Sequence, residues 1–299
     1  MWGVGAGRNA AMTTTAVIEG IYLGCVLGLI ALGLTIVYAS TQVVNFAQGE
    51  FLVFGAVMAF ELQSVLGVPA WAMVLVVIAS AVVLGVVVER LVMLPVQRSG
   101  SSYAWIIATL ALSIIFESVY PILFPSTVFR PPPLVGGTFR LFGTQVTGQE
   151  ILIVVAAVVI ILLYDQFLRR TLYGAAIRAV AQDPATTSTL GISVKMVVLA
   201  SFVISVVITA VGGMLVAPTL FLSPTSGLTQ TINGFVAMVI GGVGSARGAL
   251  AGGLIVGILY SVVSALVTPE VGEIIIVAIL AAILLVRPGG IFASYAGAH

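Results

Sequence analysis

Charge is what this chain has least of. Among 299 residues there are 11 Lys or Arg and 10 Asp or Glu, so 7% are charged, against about 25% in an ordinary soluble domain. The net charge is +1, which leaves no basic patch to track nucleic-acid phosphates, so no nucleic-acid partner is expected. Histidine and cysteine each occur once, as His299 and Cys25. One cysteine excludes an intrachain disulfide and a thiolate metal cluster. One histidine removes a His-based metal centre or triad. No metal ligand set and no catalytic residues are therefore expected. Lysine also occurs once, and Lys195 follows Val194 rather than glycine. That is not a Walker A lysine, so ATP has no such site here.

Apolar residues fill the space that charge leaves. They make up 61% of the chain, too much for a soluble fold to hide and too much for disorder. The bilayer is the expected solvent. Apolar runs fall near 16–38, 51–66, 70–93, 103–123, 150–168, 194–217, 233–243, 249–267 and 272–287. The second is interrupted by Glu61, and 233–243 is short and glycine-rich. The pattern predicts an all-α polytopic membrane protein with about eight or nine transmembrane helices, in one domain over 1–299. The first run exceeds a signal-peptide core and is expected to stay as an anchor. Met12 offers an alternative start.

Basic residues set the direction. Arg90 and Arg98, then Arg169, Arg170, Arg178 and Lys195, then Arg247, then Arg287 follow or precede runs on one side. Under the positive-inside rule that side is cytoplasmic, with the N-terminus outside and the C-terminus inside. Arg130 and Arg140 then fall in an external loop, 125–149, against the rule. Its three prolines, 131–133, suggest an ordered cap.

Four features depart from plain lipid-soluble helix. Thr41–Glu50 is polar, and Asn45, Gln48 and Glu50 suit either a solvated turn or a broken, re-entrant segment along a transport route. Residues 240–253 are rich in glycine, including Gly241, Gly242 and Gly244. They suit tight helix packing or a flexible hairpin. Two such interruptions raise an internal repeat. The loop 172–192 predicts two short helices that meet at Asp183, an N-cap followed by Pro184, with Gly191 as the C-terminal stop. Its apolar residues Ile177, Val180, Leu190 and Ile192 need a partner, within the chain or outside it. Last come isolated carboxylates. Glu19 and Glu61 sit near outer ends, Glu89 reads as a paired surface charge beside Arg90, and Glu117 is the best candidate for a buried carboxylate.

These motifs carry a resemblance. Gly33-Leu34-Thr35-Ile36-Val37-Tyr38, then Val44-Asn45-Phe46-Ala47-Gln48-Gly49-Glu50-Phe51, is similar to the branched-chain amino acid ABC permease family. Gln48 stands where that family usually has histidine. Arg178-Ala179-Val180-Ala181-Gln182-Asp183 with Leu190-Gly191-Ile192 resembles its coupling loop. Gly241-Gly242-Val243-Gly244-Ser245 resembles its late glycine motif, and Arg287-Pro288-Gly289-Gly290-Ile291-Phe292 its ending.

The resemblance implies a permease subunit of an ABC importer in the bacterial plasma (inner) membrane. It implies a second permease chain, related or identical, two ATP-binding cassette subunits and an extracytoplasmic substrate-binding protein. Lipid surrounds the assembly. ATP and Mg belong to the partner ATPase subunits, with no cofactor on this chain. The substrate would be a branched-chain amino acid, urea, an amide or an aromatic acid. Asn45, Gln48, Glu50, Gly241, Gly242 and Gly244 would lie along the route. Arg178, Ala181, Asp183, Leu190 and Gly191 would form the ATPase contact. Two rivals stay open from the residues themselves: an ion-coupled secondary transporter, suggested by Glu117 and the broken segments, and a passive channel for a small solute such as urea.

Overall fold

The computed structural model describes residues 3–98, 102–124, 128–141 and 143–286. Twelve α-helices follow one another: α1 Gly3–Thr41, α2 Gln48–Phe60, α3 Ala70–Val88, α4 Leu94–Arg98, α5 Ser102–Leu123, α6 Gly148–Arg170, α7 Leu172–Gln182, α8 Pro184–Thr189, α9 Val194–Val216, α10 Gly227–Gly241, α11 Ala246–Leu266 and α12 Pro269–Val286. The protein is an all-α polytopic membrane protein, apart from one β-hairpin among the described residues. Among the described residues, six helices are long and apolar enough to cross a membrane by length and composition.

Burial separates the core helix from the lipid-facing ones. The most apolar window of α1 is 83% buried, whereas those of α5 and α6 are 22% buried. A helix that is apolar all round belongs in the centre, and α1 lies there. It packs on α11 almost backbone to backbone. A Cβ on Gly24 would meet the Leu254 Cα at 2.7 Å, and one on Gly253 would collide with the Gly24 carbonyl. Small residues at such a seam replace the hydrophobic drive that lipid cannot supply. α1 ends where Gln42 adopts φ 57° and its N–H reaches back to the Tyr38 carbonyl at 2.8 Å, a left-handed helix stop.

α2 and α10 are too short to span. Thirteen and fifteen residues rise roughly 20 and 22 Å, below the roughly 30 Å hydrocarbon core. Both are covered by protein, the condition for irregular backbone at depth. α2 ends in a π-helical turn, Glu61–Val65, and a second such turn, Glu89–Met93, joins α3 to α4.

Several boundaries differ from expectation. The run placed at 233–243 is a helix from Gly227, because Gln230, Thr231 and Asn233 are polar yet wholly or partly buried. The third run continues to Arg98. The loop 125–149 carries an antiparallel hairpin of β1 Thr138–Leu141 and β2 Thr144–Thr147, with Thr138 opposite Thr147. Thr147 then opens α6 through a reciprocal cap with Glu150. Glu89 is buried, with Arg90 3.7 Å away, so it is not the surface charge its position suggested. Glu117 is half-buried, and the buried carboxylates are Glu50, Glu89 and Asp165. The Arg287–Phe292 ending lies outside the described residues.

Candidate functional site

The segment 45–50 begins with a side chain that closes its own turn. Asn45 Oδ1 accepts from the Ala47 N–H at 3.1 Å, and Asn45 Nδ2 donates to Gln48 Oε1 at 3.2 Å. Gln48 Nε2 in turn donates to Ser205 Oγ at 2.9 Å and Thr209 Oγ1 at 2.6 Å on α9. Ser205 passes the chain on to the Gly33 carbonyl of α1 at 2.8 Å. The Gly49 N–H, free at a helix start, donates to Thr231 Oγ1 of α10 at 2.7 Å. Ser113 Oγ of α5 donates to Glu50 Oε1 at 2.7 Å, and the Tyr120 hydroxyl to the Glu50 carbonyl at 2.8 Å.

The N-terminus of α2 is therefore a node that joins α1, α5, α9 and α10. Asn45, Gln48 and Glu50 are all buried, and none borders the three cavities described below. Two close approaches lock the node. A Cβ on Gly49 would collide with the Gly227 carbonyl, and one on Gly227 with the Glu50 carboxylate. The hydroxyls that complete it are Ser113 on α5, Ser205 and Thr209 one turn apart on α9, and Thr231 on the polar start of α10. Only their small polar side chains hinted at an inward face.

The glycines after α10 build a turn. Gly242 and Gly244 have φ of 89° and 90°, a conformation open to glycine. Gly241 meets Gly248 backbone to backbone. Ser245 caps α11 by accepting from the Gly248 N–H at 3.0 Å.

Among the described residues, three of the cavities along the bundle bear on the site. The first, about 390 Å³, lies among α1, α10, α11 and α12. Glu19, Tyr22, Gln230, Asn233, Ser261 and Ser264 supply its polar wall, and Leu23, Leu27, Leu220 and Ile276 its apolar wall. The second, about 600 Å³, lies under the β1–β2 hairpin against Tyr22, Arg130, the three prolines and Glu150. Arg130 Nε donates to the Pro218 carbonyl at 3.1 Å and its guanidinium stacks on Phe221.

The third cavity, about 690 Å³, lies at the other end of α1, against Thr35, Tyr38 and Gln42. Asp165, Arg169, Arg178, Ala181 and Gly244 also border it. Between Leu27 and Thr35, about 12 Å of fully packed helix separates the first cavity from the third. Asp165 ties the third cavity together. It pairs with Arg169 at 3.1 Å and with Arg247 at the start of α11 at 2.9 Å.

α7 and α8 form the two short helices expected in 172–192. Asp183 Oδ1 accepts from the Ala185 and Thr186 N–H groups at 2.9 and 3.1 Å, and the Thr186 hydroxyl bonds its other oxygen. The Thr186 hydroxyl bond first, then the backbone bonds, hold its carboxyl below the ordinary value. Gly191 turns at φ 84°. The apolar residues divide. Ile177 and Val180 are buried against the chain itself, while Leu172, Tyr173 and Leu190 are 89, 75 and 74% exposed.

Comparison with known proteins gives one consistent answer. The sequence model of the family described as "Branched-chain amino acid transport system / permease component" matches residues 16–284. The high-affinity branched-chain amino acid transport system permease protein LivH of Escherichia coli K12 is 31% identical over 287 residues, covering 91% of this chain and 93% of its own. BraD of Pseudomonas aeruginosa, of the same description, is 28% identical over 92% of this chain and 94% of its own. A probable LivH of Methanocaldococcus jannaschii is 31% identical, with 92 and 91% covered. No solved structure matches. The family match covers nearly all of the bundle, the α2 node and the α7–α8 segment included, and on that ground the chain belongs to the branched-chain amino acid transport permease family.

Proposed function

We propose that this chain is the permease subunit of an ABC importer in the plasma (inner) membrane. It moves a branched-chain amino acid or a related small amphipathic solute, with ATP hydrolysis on partner subunits. One observation carries the reading beyond the family: α7 and α8 present Leu172, Tyr173 and Leu190 outward while Ile177 and Val180 anchor the segment to the bundle. An apolar tip on a braced, polar-capped pair of helices suits a groove on a soluble subunit.

A second permease chain and two ATP-binding cassette subunits, which hold ATP and Mg, complete the assembly. An extracytoplasmic binding protein delivers solute to the other face. Asp165 contacts Arg247 at the glycine turn, and Arg178 and Ala181 of α7 border the same cavity, so movement of α7 has a short path to α10 and α11. The packed stretch of α1 between the first and third cavities is the barrier that such movement would open. A ligand shifts an equilibrium between outward and inward states only by its differential affinity for them.

Reconstitution tests this. The chain is co-expressed with a second permease chain and the ATP-binding cassette subunits, purified and placed in liposomes with ATP inside. Solute uptake that requires ATP and the binding protein is the expected result. Uptake by the chain alone, driven by an ion gradient or running in both directions without ATP, would overturn it.

A further inference from the structure

The third cavity carries positive charge that the fold leaves unbalanced. Arg169 and Arg178 border it, and Arg247 reaches its edge through Asp165. Asp165 is the one carboxylate in the wall, and both its oxygens are taken. Oδ1 accepts from Arg169 Nε at 3.1 Å and Oδ2 from Arg247 Nε at 2.9 Å. Arg178 is exposed on α7 and forms no ion pair among the described residues. Two further donors border the cavity. Thr35 is 3% exposed, yet its Oγ1 has no hydrogen-bond partner. Ala246 opens the 21-residue α11, so its N–H has no acceptor within the helix. Idle donors at such depth cost free energy that a bound acceptor would recover. The neighbouring surface of α6 is apolar. Leu162 and Leu163, which precede the wall residues Tyr164 and Asp165, are 49 and 61% exposed.

We propose that this cavity binds the phosphate headgroup of an anionic phospholipid. Arg178 supplies the counter-charge, and Arg169 and Arg247 add to the field. The Thr35 hydroxyl and the Ala246 N–H donate to headgroup oxygens, while an acyl chain runs along Leu162 and Leu163. A basic hollow between helix ends, beside an apolar helix surface, is the layout that lipid headgroups occupy. A phosphodiester only accepts hydrogen bonds, and the idle groups here, a guanidinium, a hydroxyl and a backbone N–H, can all donate. Free phosphate would meet the same donors; the apolar surface of α6 is what selects the lipid. The inference is independent of what the chain transports.

The test is native mass spectrometry of the full chain, purified in mild detergent and titrated with lipid. The probes are phosphatidylglycerol and phosphatidylcholine, which share a phosphodiester and acyl chains but differ in net charge. Phosphatidylglycerol is expected to be retained at about tenfold lower concentration. Arg178→Gln should weaken its retention about fivefold, the worth of one basic residue at an anionic headgroup, and Arg178→Lys should recover most of it. Thr35→Val, with the charge unchanged, should weaken it several-fold. Lys195→Gln removes an exposed cation outside the cavity and should leave retention as it was. Arg178 and Lys195 are both exposed, so neither variant is expected to unfold the chain. Equal retention of the two lipids, Arg178→Gln indistinguishable from wild type, or a loss in Lys195→Gln as large as in Arg178→Gln would each overturn the site. Displacement of the lipid by millimolar inorganic phosphate would overturn the lipid as the ligand and assign the cavity to a free anion.

Discussion

Gln48 and Thr209 are 161 positions apart and joined by a hydrogen bond of 2.6 Å. Through it the helix that follows the interruption at 41–47 is fastened to the helix that follows α7 and α8. Gln48 uses both ends of its amide: the oxygen accepts from Asn45 and the nitrogen donates to Ser205 and Thr209. A neutral histidine also has one accepting and one donating nitrogen, so the residue usual in the family can serve the same two directions.

That equivalence predicts a split between two variants. Gln48→Leu leaves Asn45, Ser205 and Thr209 short of a partner and is expected to cost about 1–3 kcal/mol. Gln48→His should keep most of the stability. Thermal unfolding in mild detergent, followed by circular dichroism, decides it. Equal midpoints for the leucine variant and wild type would show that the node contributes nothing.

The glycine contacts predict a positional contrast. A Cβ at Gly213 would collide with the Leu52 carbonyl, and one at Gly55 with the Ala210 carbonyl. Gly213→Ala and Gly55→Ala should therefore destabilise by about 1–3 kcal/mol through overpacking. Gly136→Ala, with open space around it, should be near neutral. Similar losses at all three positions would refute backbone contact between α2 and α9 as the cause.

Asp183 predicts a pH dependence with a fixed sign. Its folded carboxyl titrates below the ordinary value, so its cap is complete above that ordinary value. The cap is lost only as pH falls through the lowered one. At neutral pH the cap is fully charged. Asp183→Ala should reduce solute-stimulated ATPase activity of the assembled complex, while Asp183→Asn, still a good N-cap, should retain most of it. Carboxyl titration by NMR checks the sign, and a value at or above the ordinary one would contradict the bonding described.

Asp165 predicts an effect on transport larger than its effect on stability. Its arginine partners are mostly exposed, so screening leaves each pair worth at most about 1 kcal/mol. Asp165→Asn should shift the unfolding midpoint little but lower the maximal uptake rate of the reconstituted complex. An unchanged rate would remove the link between α6 and the glycine turn from the mechanism.

Much of this molecule was legible residue by residue. The two helices meeting at Asp183 followed from local chemistry, an N-cap, a proline and a terminal glycine, none of which needs a distant partner. The length of α10 did not, because Thr229, Gln230 and Thr231 look like loop until a cavity and the Gly49 N–H give them a use. Glu117 looked like the buried carboxylate from its depth in a run. Glu50, Glu89 and Asp165 are the buried ones, since the face a helix turns inward depends on its neighbours.

By itself the sequence determined the solvent, the class and the family. Scarce charge and long apolar runs leave only a bilayer, where backbone groups must pair within helices. Ordered motifs across nearly the whole chain name the family. Only the tertiary structure decided which polar residues are scaffold and which are free to bind. Asn45 and Gln48 are spent on one another and on α9, and Glu50 meets α5 through one carboxylate oxygen and its carbonyl while its Oε2 has no partner. Thr35 keeps its hydroxyl unpaired at a cavity, and Arg178 beside it has no ion pair among the described residues. A hydrogen bond between residues some 160 positions apart leaves no periodicity in the chain, and it comes into being only when the helices pack.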